Sequence, residues 1–179
     1  TGNISVTANF AVILIAAPSN PGATAIGLNT ITWTWQDNSP DETGFKVYAG
    51  AGATAPVSVT HTTAADIESW QQDSLSPNTQ YAMQVAATNA INDSGKTPSF
   101  VAWTLAATPS VPVVDNATGH SLDVTIGAGD GNPAHTEYAL HCATAGLWVQ
   151  ADGSLGLLPA WRTSSSWGAI TVTGLAEYT

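Results

Sequence analysis

The chain has 179 residues, with 3 Lys and Arg against 13 Asp and Glu, a formal net charge of −10 and only 9% charged residues. That balance excludes a nucleic-acid binder, which needs clustered cations against phosphate, and a basic membrane-surface patch. With 44% apolar residues and seven Trp, the composition predicts an ordered, Thr-coated protein, long enough for two domains of about 90 residues.

Helical periodicity is nearly absent, and period-2 alternation recurs along the chain. The first predicted strand is Asn3 to Phe10, running on to Ile15, with Ile4, Val6, Ala8, Phe10, Val12 and Leu14 on one face. Its apolar run, Phe10 to Ala17, is too short for a bilayer, which takes ~20 residues. Next come Ile31, Trp33 and Trp35 on one face, then Phe45 and Val47, then Tyr81, Met83, Val85 and Ala87, and finally Phe100 to Leu105. Turn residues separate these runs at Asn38-Ser39-Pro40-Asp41, Gly50-Ala51-Gly52 and Asn92-Asp93-Ser94-Gly95. After the proline-stiffened linker Thr108 to Pro112, the plan repeats. Leu122, Val124 and Ile126 alternate, and the turn Gly129 to Pro133 leads to strands at Glu137 to Cys142, Leu147 to Val149 and Ile170 to Thr173. Short strands at this spacing predict an all-β, antiparallel sandwich protein.

The segment Leu75-Ser76-Pro77-Asn78-Thr79-Gln80-Tyr81 resembles the E–F corner of fibronectin type III domains, whose Tyr hydroxyl bonds back to the corner backbone. Trp33, Gly44 to Tyr48 and Val85 to Asn89 match the same family. The resemblance implies two immunoglobulin-like sandwiches in tandem, preceded by an extra N-terminal β-strand. Residues 1–17 are that strand and its linker, and 18–107 a complete module. Residues 108–179 resemble strands A to E of a second module, whose F and G strands would fall beyond Thr179. Two expectations follow. In one, the sequence is an excerpt of a long tandem protein; in the other, the strand at Ile4 to Leu14 of one copy completes the open module of the next. The segments Trp35 to Phe45 and Asp130 to Ala134 look like those of bacterial multi-module proteins, which implies an extracellular or cell-surface location. Copies of the chain or neighbouring modules are the expected partners.

No nucleotide loop, nucleophile elbow or zinc pattern is present, so no enzyme and no cofactor is expected. The loop residues Asp37, Asn38, Asp41 and Glu42 form a calcium candidate, although Asp and Asn also favour turns. The adjacent carboxylates Asp41 and Glu42 lack the opposed placement a glycosidase needs. His135, Glu137 and His141 do not form a metal set: at ~3.3 Å per residue, 137 and 141 lie about 13 Å apart. Trp148, Trp161 and Trp167 read first as packed side chains, with an exposed platform for glycans as the second reading. Asn3, Asn92 and Asn116 stand in glycosylation sequons. Cys142, without a partner for a disulfide, reads as a buried thiol, and His61 and His120 as solvated loop residues.

Overall fold

A computed structural model of the protein describes residues 15–176. They form two compact units. The first comprises 15–25, Thr32–Gln72 and Gln80–Ala102; the second comprises Ile26–Ile31, Asp73–Thr79 and the residues from Trp103 onward.

Seven strands carry the first unit, apart from the end residues Ile26, Ile31 and Trp103: β1 (Ser19–Ile26), β2 (Ile31–Gln36), β3 (Gly44–Ala51), β4 (His61–Ala64), β5 (Ser69–Gln72), β6 (Gln80–Thr88) and β7 (Phe100–Trp103). They make two sheets, in the orders β1-β2-β5 and β4-β3-β6-β7. Alternation on β2 turns Trp33 and Trp35 inward and its Thr residues outward. The buried Trp33 still finds a polar partner, since its Nε1 donates to Gln72 Oε1 at 2.9 Å. Trp35 meets Phe45 across the core at 5.6 Å between ring centroids. On the long antiparallel ladder of β3 and β6, Val47 pairs with Val85 and Phe45 with Ala87.

These two central strands are buried on both faces, unlike the one-sided alternation predicted. The reason is a second cluster of Tyr48, Ala55, Ala82 and Ala86. Ala55 lies in the segment between β3 and β4, and Thr60 Oγ1 bonds both Ala49 N and Ala49 O at 2.8 and 2.9 Å. The Lys96 ammonium lies 3.3 Å from the centre of the Tyr48 ring. His61, expected in a loop, is on β4, and its ring stacks on Trp70 at 4.6 Å.

In the second unit, the predicted corner is tied by Thr104. Its hydroxyl donates to the Ser76 carbonyl at 2.6 Å and accepts from Thr79 N at 3.0 Å. The strands that follow are β8 (Val113–Asp115), β9 (Ser121–Thr125), β10 (Glu137–Tyr138), β11 (His141–Cys142), β12 (Leu147–Val149), β13 (Leu155–Gly156), β14 (Arg162–Thr163) and, after the short helix α1 (Ser164–Trp167), β15 (Ala169–Thr173). One sheet has the order β15-β9-β8, a second β11-β12-β13, and β10 pairs with β14. The single strand predicted over Glu137 to Cys142 is thus two short ones with different partners. Their core holds Val124, Tyr138, Leu140, Val149, Val172 and Leu175, with Trp167.

Trp167 is packed and takes no part in an exposed platform. Thr163 caps α1 by accepting from Ser166 N, and Gly168 ends it. That single turn directs the indole inward, where it is 4% exposed and Nε1 donates to the Tyr138 carbonyl at 2.9 Å.

Candidate functional sites: an open strand edge and an acidic cluster

The first site lies in the second unit. β12 covers one side of β11, with His141 opposite Trp148 and Cys142 opposite Leu147. Among the described residues no strand pairs with its other side. Two cavities of about 400 and 190 Å³ share Pro112, Leu140 and His141 in their walls. Ile126, Tyr138, Trp148 and Trp161 also line the larger one. The smaller is lined by the core side chains Val124, Val149 and Val172 and by the exposed Val114. Adjoining at these shared walls, the two make one largely apolar groove walled in part by the edge strand β11.

Of the three tryptophans proposed as a platform, two are brought together here. Trp161 is 59% exposed, and the half-buried Trp148 holds the His141 ring at 4.7 Å. Cys142 is half-buried rather than fully enclosed and lines the smaller cavity. The Thr144 hydroxyl beside it, 3.5 Å from Sγ, and nearby backbone amides pull its thiol below the usual range. His120, expected to be solvated, is exposed, with Nδ1 3.1 Å from the Leu175 carbonyl.

The second site lies in the first unit. Asp37, just after β2, Glu42, before β3, and Asp66, after β4, each bring a carboxylate oxygen within 4.8 Å of the other two. Glu42 is 8% exposed. Its carboxylate accepts from Asp66 N at 3.3 Å through Oε1, while Oε2 is buried with no hydrogen-bond partner. Burial raises the Asp37 carboxyl above its usual range. The Ser39 N–H opposes that rise, and the charges of Glu42 and Asp66 reinforce it.

Two of the four predicted calcium ligands, Asp37 and Glu42, therefore converge, and the other two do not. Asn38 turns its amide to the Ala17 carbonyl at 2.8 Å, and Asp41 is exposed outside the cluster. Asp66, which completes the group, was missed because it lies 24 residues beyond Glu42 in the chain. Only its place in the turn-like Ala64-Ala65-Asp66 hinted at it.

Of the sequons, Asn116 is exposed and donates through Nδ2 to Asp123 at 2.8 Å, and Asn92 is half-buried. Asn3 lies outside the described residues, as do the strand-exchange candidates Ile4, Val6, Ala8, Phe10, Val12 and Leu14.

Residues 16–102 match the family model of the fibronectin type III domain. A two-domain fibronectin type III segment of chicken tenascin is similar in fold at 12% identity, with a TM-score of 0.59, covering 90% of this chain and 85% of that one. A computationally redesigned β-sandwich protein aligns at 28% identity and a TM-score of 0.44, over 51% of this chain and 92% of that one. Titin domains A168–A170 align at 15% identity and a TM-score of 0.45, over 51% of this chain and 32% of theirs. No curated protein matches the sequence. The fold is all-β, of the fibronectin type III, immunoglobulin-like sandwich kind. Domains of that kind are generally non-catalytic modules and typically extracellular. Among the described residues no helix is long and apolar enough to cross a membrane.

Proposed function

We propose that the chain is a non-catalytic structural module of a bacterial extracellular or cell-surface protein, acting as a spacer or stalk or as the subunit of a filament. The observation that supports this reading is the edge strand β11, unpaired on one side among the described residues and forming part of the wall of the apolar groove. A strand laid along that side would satisfy backbone groups whose burial without partners costs ~1–3 kcal/mol each. Its alternate side chains would fill the groove. In the stalk form, neighbouring polypeptide of the same protein supplies the strand. In the filament form, the segment bearing Ile4, Val6, Ala8, Phe10, Val12 and Leu14 supplies it from another copy. That head-to-tail contact does not close on itself, so it propagates.

Sedimentation and negative-stain electron microscopy of the purified chain distinguish the two forms. Filaments that disappear in Val6→Asp and Phe10→Asp support strand exchange. A chain that stays monomeric at high concentration, with both units unfolding cooperatively, overturns it.

The exposed Trp161 beside Trp148 in the 400 Å³ cavity favours a second reading, an adhesion or accessory module that binds glycans. Retention on a polysaccharide matrix, abolished by Trp161→Ala, would establish that reading; no retention on any matrix would remove it.

A further inference from the structure

The acidic cluster has an unbalanced charge. The sequence contains three Lys and Arg in all, and each is engaged elsewhere. Lys46 pairs with Asp93 at 2.7 Å, Lys96 sits over Tyr48, and Arg162 lies 5.4 Å from the Trp167 ring centre. No cationic side chain therefore faces Asp37, Glu42 and Asp66. Glu42 holds an oxygen that is buried and lacks a donor, in a residue that is 8% exposed. A buried carboxylate oxygen needs a donor, a proton or a cation. The two carboxylates grouped with Glu42, those of Asp37 and Asp66, carry no positive charge, so a shared proton or a cation must satisfy the group.

The spacing selects among cations. Three atoms no more than 4.8 Å apart all lie within about 2.8 Å of a common centre. Calcium–oxygen bonds run ~2.3–2.6 Å in flexible geometry, whereas magnesium demands ~2.0–2.1 Å and a near-ideal octahedron. A contraction of a few tenths of an ångström suits calcium, with water filling the remaining positions on the exposed Asp66 side. The donors are all hard oxygens, which disfavours softer metals. We infer that Asp37, Glu42 and Asp66 form a calcium site that ties the loop between β2 and β3 to the turn after β4. The inference is independent of the groove and of the reading built on it.

Titration of the full chain with calcium chloride, after treatment with EDTA, tests the site by calorimetry and thermal melting. One ion per chain is expected, with an affinity in the ~10⁻⁴–10⁻³ M range of extracellular modules. Tm should rise by roughly 5 °C at ten times the dissociation constant. Asp66→Asn, at an exposed position, should weaken binding at least tenfold with an unchanged circular dichroism spectrum. Asp41→Asn, an exposed acid outside the cluster, should leave it unaltered. No saturable binding up to about 10 mM calcium overturns the site. So does an equal response of the two variants, which would mean diffuse attraction to an acidic surface.

Discussion

Thr104 is 3% exposed, and its one hydroxyl serves the Ser76 carbonyl and the Thr79 amide together. Thr104→Val keeps the shape and removes the hydroxyl that both backbone groups bond. It should cost about 1–3 kcal/mol in urea unfolding at unchanged m-value, with Thr104→Ser close to wild type. The motif Leu75 to Tyr81 made the corner legible, yet nothing in it names a hydroxyl 25 residues downstream. Asp66 was hidden for the same physical reason. Side chains that meet through tertiary contact leave no spacing pattern in the chain. Trp33 and Trp35 were legible because burial on a strand repeats every second residue.

Among the elements, the turn between β12 and β13 depends on Gly153, which has φ +84° and whose carbonyl accepts from Thr173 N at 3.0 Å. A Cβ there would overlap the Thr171 carbonyl, so β15 approaches too closely for any side chain. Gly153→Ala should destabilise the second unit by roughly 2 kcal/mol or more. Hydrogen exchange should show faster amides in β12 and β15 while β3 and β6 keep their protection. Equal protection in both variants would mean that the turn shifts without cost. Strands β2, β3, β6, β9 and β15 were readable from alternation. Helix α1 was not, because four residues are too few to display a 3.6-residue period. The division of 137–142 into β10 and β11 was hidden as well, since it is set by two different partner strands.

For the molecule as a whole, ten excess negative charges meet one ion pair among the described residues, Lys46 with Asp93. Repulsion is therefore the larger electrostatic effect, and it is screened by salt. Raising sodium chloride from about 0.05 to 0.5 M should raise Tm by a few degrees in scanning calorimetry. A fall would mean that attractive pairs dominate. The sandwich fold was legible over residues 16–102, where the family's motif residues lie. The open groove was legible only as an inventory of strands, because its walls come from segments far apart in sequence. The scarcity of cations has a further consequence outside the folded state's energetics. Trypsin-like proteases cut after Lys or Arg, and this chain offers them just Lys46, Lys96 and Arg162. Lys46 is central in the ladder of β3 between β4 and β6, and Arg162 is paired in β14. Lys96 precedes the buried Thr97, whose amide is bonded to the Val85 carbonyl at 2.8 Å. Each cut must wait for local opening, so the composition that leaves the surface nearly free of cations also makes it a poor substrate for trypsin-like proteases.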